Sequence, residues 1–321
     1  MKRIGLFGVT GYTGRELRRL LAMHPDIETT FATGSGHLDH ELGLEREADA
    51  YLLALPHGIA ARFADTLRGS WPNAVVIDLS GDLRLPSAES YRTWYGTEHA
   101  APALLGHVPY GLTEINRKQL GGAKLISNPG CYATSVLLPS LPLLREQLVS
   151  PNGIIVDSKS GASGAGRAAR EALLFCEVDE DLKAYSPGHQ HRHVGEIEAV
   201  VQQHAGCEIS LTFCPHLLPV KRGILSSLYF RSETPPEQLV AALRSTYAGE
   251  PFVRIVEKPP RLQDVVYTNE CHISVHAGAS GNVIVFSALD NLVKGAAGQA
   301  IQNLNLALGL PEKSGLPVSL G

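Results

Sequence analysis

The stretch Lys2-Arg3-Ile4-Gly5-Leu6-Phe7-Gly8-Val9-Thr10-Gly11-Tyr12-Thr13-Gly14 decides the fold. Residues 2–7 form a short apolar run of strand type, and the GxxGxxG turn after it opens into a segment with Leu17, Leu20 and Leu21 on one side of a helix. Glycines at 8, 11 and 14 let the backbone turn tightly and approach a pyrophosphate, whose charge is stabilised by free N–H groups and the positive end of the helix dipole. Gly8, Thr10, Gly11, Tyr12, Thr13 and Gly14 are therefore candidate cofactor-binding residues. The bland alternative is a tight strand-to-helix turn without a ligand. The helix is expected to end at His24-Pro25, because proline supplies no helical N–H.

Outward from this loop, strand-like runs at 28–33, 49–55, 74–79 and 123–127, with a helix-sized segment at 59–68, predict βαβ units and a parallel sheet. Beyond residue 150 the texture changes to period-two alternation, as in Ile209, Leu211, Phe213 and Ile273, Val275, the pattern of antiparallel strands with one buried face. Thr234-Pro235-Pro236-Glu237 reads as an N-cap, a proline at the first helical position and an acidic first turn, opening a helix to about Tyr247. A last helix over 294–308 stops at Gly309 and Pro311. The expected class is α/β: a Rossmann-type dinucleotide-binding domain over 1–130, to which segment 294–321 returns, and an α+β catalytic domain with a mostly antiparallel sheet over 131–293.

Composition narrows the function classes. With 321 residues, 44% hydrophobic, 19% charged and a net charge of −4, the chain is neither a disordered tail protein nor a polybasic nucleic-acid binder. No run approaches the roughly 18 apolar residues of a membrane span, and Met1-Lys2-Arg3 leads into glycines rather than an apolar signal region, so no membrane or secretory role is expected. Five cysteines without a CxxC pair fit neither a disulfide framework nor a tetrathiolate zinc site, which points to a reducing cytoplasm.

At the end of the second strand, Ala32-Thr33-Gly34-Ser35-Gly36-His37 offers neither the acidic residue that selects NAD nor the basic one that selects NADP. Thr33 and Ser35 can hydrogen-bond a 2′-phosphate, and His37 adds charge only when protonated, so the choice stays open. Further on, Leu125-Ile126-Ser127-Asn128-Pro129-Gly130-Cys131 reads as strand, turn and the start of an apolar helix. Cys131 falls in the first turn, where the dipole and unpaired N–H groups favour a nucleophilic thiolate. The other four cysteines read as inert. A proton-transfer partner is available in His189-Gln190-His191-Arg192-His193, whose histidines share one side if the segment is extended. A metal site and a solvated loop are the competing readings of this cluster.

Several segments together resemble the N-acetyl-gamma-glutamyl-phosphate reductase family over nearly the whole chain: the glycine loop, Ser127-Asn128-Pro129-Gly130-Cys131-Tyr132, Asp157-Ser158-Lys159-Ser160-Gly161-Ala162-Ser163-Gly164-Ala165-Gly166-Arg167, His191-Arg192-His193, His216-Leu217-Leu218-Pro219-Val220-Lys221-Arg222-Gly223, and residues 290–299. The resemblance implies an NADP-dependent reductive dephosphorylation of an acyl phosphate to an aldehyde in arginine biosynthesis. It implies that Cys131 attacks the acyl carbonyl, that His191 is the acid/base histidine, that no metal takes part, and that a homodimer or homotetramer forms. Ser160, Gly161, Gly164 and Asn291 are expected at the cofactor, the bland alternative for Asn291 being a cap of the last helix. Asn128, His193, His216 and Arg222 are expected at the substrate, Arg222 because a guanidinium forks onto phosphate or carboxylate oxygens. The bland alternative for Arg222 is a surface ion pair, and that for His216 a structural role. Two departures from the family pattern are Gly34 or Ser35 where an arginine is common, which leaves NAD open, and Cys131-Tyr132-Ala133-Thr134 where Cys-Tyr-Pro-Thr is usual. The alternatives are a sister branch acting on a carrier-protein-linked aminoadipyl phosphate in lysine synthesis, and a cofactor-binding regulator that has lost catalysis.

Overall fold

In the computed structural model, which describes residues 1–34, 41 and 43–319, the chain divides into two units, Met1–Gly130 with Ala296–Pro317, and Cys131–Gly295 with Val318–Gly321. The first unit runs β1 (Lys2–Phe7), α1 (Tyr12–Leu21), β2 (Ile27–Thr33), β3 (Ala50–Leu53), α2 (Ala60–Ser70), β4 (Val75–Asp78), α3 (Ala88–Tyr95), α4 (Thr113–Leu120) and β5 (Leu125–Ser127). The sheet has the order β2-β1-β3-β4-β5, and every pairing is parallel. Strands β3 and β4 are buried at every position, as the continuous apolar runs require when both faces of a parallel sheet are covered. The core packs Phe7 edge-on against Phe31 at 5.6 Å and Phe63 at 5.7 Å.

A buried carboxylate orders the middle of this unit. Asp82 is fully buried and accepts from the N–H groups of Gly58 and Ala61, at the start of α2, and from the Tyr91 hydroxyl. Orphan donors at a helix start are thus satisfied from outside the helix. Tyr91 stacks on Tyr95 at 4.4 Å, and Gly81 has no room for a Cβ against the Tyr95 hydroxyl.

The second unit contains α5 (Cys131–Arg145), β6 (Ile154–Gly161), β7 (Lys183–Ala184), α6 (His193–Ala205), β8 (Leu211–Leu218), β9 (Ile224–Arg231), α7 (Pro236–Thr246), β10 (Val253–Ile255), β11 (Cys271–Ala277) and β12 (Asn282–Leu289). Its sheet has the order β10-β11-β12-β9-β6-β8-β7. Pairings are antiparallel except β10 with β11 and β6 with β8. Helix α5 is mostly apolar, is buried from Tyr132 to Leu144, and covers one face of the sheet by packing on β9 and β12. It carries Pro139 and Pro142 in its interior. Pro142 removes the bond that the Leu138 carbonyl would accept, and the Tyr247 hydroxyl donates to that carbonyl instead, at 2.5 Å.

The last helix is α8 (Gly298–Ala307). Its polar side is buried among amides. Gln299 donates to Gly111 O and Thr113 Oγ1, and Asn303 donates to Gly111 O and Asn128 Oδ1. Two expectations are corrected here. Residues 293–297 form a π-helical turn rather than the first turn of an α-helix, because Asp290 O accepts from Gly295 N–H at 2.9 Å, five residues on. Helix α7 has Pro235 at its N-cap with no capping side chain. Thr234 lies one residue too early, its own N–H donating to Ser232 Oγ.

Candidate active site

In the first unit, β1 leads through Gly8 to α1 as the sequence indicates. Gly8 has φ +84°, and a Cβ there would overlap the Ala54 carbonyl, while one on Gly14 would overlap that of Gly8. Gly8 and Val9 donate their N–H groups to Thr33 O at 3.2 and 3.1 Å, which ties the loop to the end of β2. Helix α1 begins at Tyr12 with Gly11 as N-cap, no capping side chain and no acidic residue in its first turn. Such a helix start accepts an anion, the role expected of Thr10, Gly11, Tyr12, Thr13 and Gly14. Thr33 is buried at the end of β2. Ser35 and His37 lie outside the described residues.

In the second unit Cys131 is the first residue of α5, where helix N–H groups without intrahelical acceptors favour the thiolate form of a cysteine. It is not in a disulfide. Gly295 packs against it, and a Cβ on Gly295 would lie 2.8 Å from the Cys131 Cβ, so only hydrogen fits. The next residue, Tyr132, stands edge-on to His191 at 5.5 Å and to Phe213 at 5.2 Å. The Tyr185 hydroxyl donates to the Tyr132 hydroxyl at 2.9 Å. Burial pushes both phenols up, Tyr185 to about 12, and the charge of Cys131 acts in the same direction.

His191 sits inside this aromatic box, also against Tyr185 and Phe213. Burial first, and then the Arg192 charge, lower its pKa to about 4. Its Nδ1 accepts the His193 N–H at 3.2 Å, which in the neutral ring selects the tautomer with its proton on Nε2. The segment is not extended: it turns at 189–192, and α6 begins at His193. The three histidines therefore do not share a side. His189 is exposed with Nε2 2.7 Å from Glu198 Oε1, whereas His193 lies 4.7 Å from the His191 ring.

Beside this cluster, Ser160 is buried at the end of β6, its Oγ donating to Gly161 O at 3.1 Å. Gly161 is pressed on the Arg222 backbone, and Gly164 faces Ser160 Oγ and Asn291 Nδ2, so neither has room for a side chain. Asn291 does not cap a helix. Its Oδ1 accepts from Gly223 N–H at 2.7 Å and its Nδ2 donates to Ser163 Oγ at 3.0 Å, clamping the two loops together.

Three substrate expectations meet a different placement. Arg222 is buried rather than a surface group, with Nε 3.0 Å from Asp290 Oδ2 and its guanidinium 4.2 Å over the Tyr267 ring. Its charge is thus matched inside the protein. His216 is on the wrong face of the sheet: strand β8 turns Phe213 and Leu217 toward the covered side, so His216, by alternation, points away from Tyr132 and His191. The Asn128 amide is committed within the first unit to Ala296 O and Asn303.

Tyr185, Asp290 and Gly295 carry structural weight at the site and were not singled out from the sequence. Asp290 accepts from Tyr267, Leu292 and Val293 N–H groups, and burial raises its pKa against the lowering effect of Arg222. An Asp-Asn pair just before a helical run was the available signal for a turn-closing carboxylate. Nothing in the local sequence marks Tyr185 or Gly295.

Comparisons with known proteins identify relatives of the chain. The semialdehyde dehydrogenase dimerisation domain matches residues 131–291, and the semialdehyde dehydrogenase NAD binding domain matches residues 38–123. N-acetyl-gamma-glutamyl-phosphate reductase of Symbiobacterium thermophilum is 42% identical, covering 98% of this chain and 97% of that protein. The same-named protein of Desulfotalea psychrophila is 41% identical, with 99% of each covered. Among solved structures, aspartate semialdehyde dehydrogenase II from Vibrio cholerae, complexed with ASA, superposes with a TM-score of 0.71 at 16% identity over 96% of this chain and 98% of that one. Aspartate semialdehyde dehydrogenase of Candida albicans, with NADP, gives a TM-score of 0.64 at 13% identity over 96% of this chain and 99% of that one. At these identities the structures show a shared fold.

Proposed function

The chain belongs to the N-acetyl-gamma-glutamyl-phosphate reductases of the semialdehyde dehydrogenase family, and we propose that Cys131 and His191 carry its reaction, with NADP as the preferred dinucleotide. The protein is an oxidoreductase of arginine biosynthesis that reduces N-acetyl-gamma-glutamyl phosphate to the semialdehyde with release of phosphate. The observation that carries the residue assignment is the placement of Cys131 at the α5 N-terminus, with Tyr132 bringing that helix start against His191.

A thiolate at Cys131 attacks the acyl carbon, the carbon–oxygen bond to phosphate breaks with its electron pair leaving on phosphate, and a thioester remains on the enzyme. His191 is neutral near pH 7 and keeps its proton on Nε2. It therefore serves best as a hydrogen-bond donor to the oxygen that becomes negative in each tetrahedral state. This sharpens the acid/base role implied by family resemblance. Collapse of the second tetrahedral state re-forms the carbonyl and expels the Cys131 thiolate, so the cycle closes without net proton transfer to His191.

The start of α1 fits the anionic pyrophosphate of a dinucleotide, with Gly8 and Gly14 allowing its approach and Thr33 at the neighbouring strand end. When bound, the reduced nicotinamide supplies the hydride that takes the thioester to the aldehyde level. Ser160, Gly161 and Gly164 form the close-packed loop beside Tyr132, held by Asn291. We assign the protein to the cytoplasm as a homo-oligomer. Among the described residues, no helix is long and apolar enough to cross a membrane.

The test is phosphate-dependent reduction of NADP, and separately of NAD, by N-acetylglutamate semialdehyde. Wild type is expected to turn over faster with NADP, and Cys131→Ser to lose about 10³-fold or more in kcat/KM. Turnover retained in the mutant sinks the assignment of Cys131, and preference for NAD sinks that of NADP.

A further inference from the structure

Among the described residues, four rings pack on His191: Tyr132 at 5.5 Å, Tyr185 at 5.9 Å, His193 at 4.7 Å and Phe213 at 5.3 Å. The first three can titrate or exchange hydrogen bonds, and the charge that acts on His191 is that of Arg192. Phe213 alone of the four carries no polar side-chain atom. It is fully buried on β8 and also stands edge-on to Tyr132 at 5.2 Å, so one ring touches both His191 and the residue that follows Cys131. Its register partner on β6, Val156, is fully buried as well and packs it on that side. The backbone of the same strand holds the segment leading to the histidine. Phe213 O accepts the Gly188 N–H at 2.6 Å, and Pro215 O accepts the Tyr185 N–H at 3.0 Å. A core-filling role explains the burial of Phe213 but not why its ring bridges Tyr132 and His191.

We propose that Phe213 is a positioning residue for the reaction, its flat apolar ring fixing the plane of His191 against Tyr132 and keeping water from the imidazole. This rests on the reading in which Cys131 and His191 carry the chemistry. An N–H donor stabilises a developing oxyanion only while it points at that oxygen, and a misplacement of about 1 Å can cost on the order of 10²-fold in rate. The hydrogen bond from the His193 N–H to Nδ1 sets the tautomer of His191 but leaves its ring plane free to tilt. Edge-on contacts with Phe213 and Tyr132, at interplanar angles of 66° and 89°, remove that freedom. The Tyr132 and Tyr185 hydroxyls are tied to each other, and a phenyl ring brings no lone pair to compete for the Nε2 proton. The remaining wall therefore orients the donor without diverting it.

The experiment compares the full wild-type chain with Phe213→Ala and Phe213→Leu, assayed with N-acetylglutamate semialdehyde, phosphate and NADP at a temperature where near-ultraviolet circular dichroism shows each protein folded. Both substitutions keep the backbone bonds of β8 to residues 185 and 188, so they isolate the ring. In Phe213→Ala, kcat is expected to fall about tenfold or more while KM for the semialdehyde stays within about twofold. The NMR midpoint of His191 is expected to rise from about 4 toward the ordinary 6.5 as water enters. Phe213→Leu, which refills most of the volume without a flat ring, is expected to lie between wild type and Phe213→Ala in both readouts, and it decides the matter if Phe213→Ala does not fold. A merely structural residue would lower the unfolding temperature and leave kcat and the His191 midpoint of the folded protein unchanged, which overturns the proposal, as does a change in KM alone. One measurement needs no variant: a wild-type His191 midpoint equal to that of exposed His189 also overturns it. Wild-type kcat in His191→Ala would instead sink the reading beneath the proposal, so the two failures are told apart.

Discussion

The two faces of the second unit's sheet are built from the same strands and differ in how their polar groups are treated. On the covered face the polar groups form closed chains: Ser158 Oγ meets Ser226 Oγ at 2.7 Å, Ser226 meets Ser135 of α5 at 2.8 Å, and Tyr185 donates to Tyr132. On the opposite face Asp157, Cys214 and His216 converge without aligned hydrogen bonds between the two nearest atoms. Desolvation accounts for the difference. A buried polar group without a partner costs about 1–3 kcal/mol, so a covered face must be satisfied internally, whereas on the other face Asp157 is held by charge, Lys159 Nζ lying 2.6 Å from its Oδ2. A single step along β8 moves a side chain from one regime to the other.

If the covered side is over-determined in this way, its supports should be costly to remove. Arg222→Met leaves Asp290 buried without its cation and should destabilise the fold by about 3–5 kcal/mol, measured by denaturant midpoint. A loss below 1 kcal/mol would mean that the pair does not hold the turn against Cys131. Next in size, His191→Ala should lower kcat by about 10²–10³-fold, while His191→Asn, which keeps an N–H donor, should lose several-fold less. Equal losses would return His191 to a base role.

The titration of His191 gives a finer test. Its folded pKa, about 4, lies below the ordinary 6.5. The stability gained by keeping the ring neutral is therefore fully present above pH 6.5 and is lost as pH falls through 4, because the unfolded chain takes up the proton first. An NMR midpoint for the His191 imidazole at 6 or above would show that the aromatic box does not desolvate it. The smallest effect belongs to the opposite face: His216→Asn should change the alkylation rate of Cys131 by less than twofold and stability by about 0.5 kcal/mol or less. A larger change in Cys131 reactivity would break the separation of the two faces.

The placement of much of the candidate site was legible because it is tied to local geometry. A glycine loop between strand and helix, or a cysteine one residue past such a turn, depends on backbone conformation and the helix dipole, which neighbouring residues set. Failures arose where contacts are remote in sequence. Nothing around residue 185 marks a tyrosine that bonds Tyr132, 53 residues away, and the His-x-His-x-His spacing carries no mark of the turn at 189–192 that separates its rings.

By itself, then, the sequence determined the α/β class, the parallel sheet after the first glycine loop, and the family. These rest on periodicity, turn chemistry and motif, all local along the chain. Tertiary structure alone decided that Arg222 is spent on Asp290, that Asn291 clamps two loops instead of capping a helix, and that His216 faces away from His191. Each depends on which side chains become neighbours once water is excluded. Pairing and burial are properties of the packed fold, and a side chain's residue type does not state which face of a sheet it will occupy or which opposite charge will reach it first.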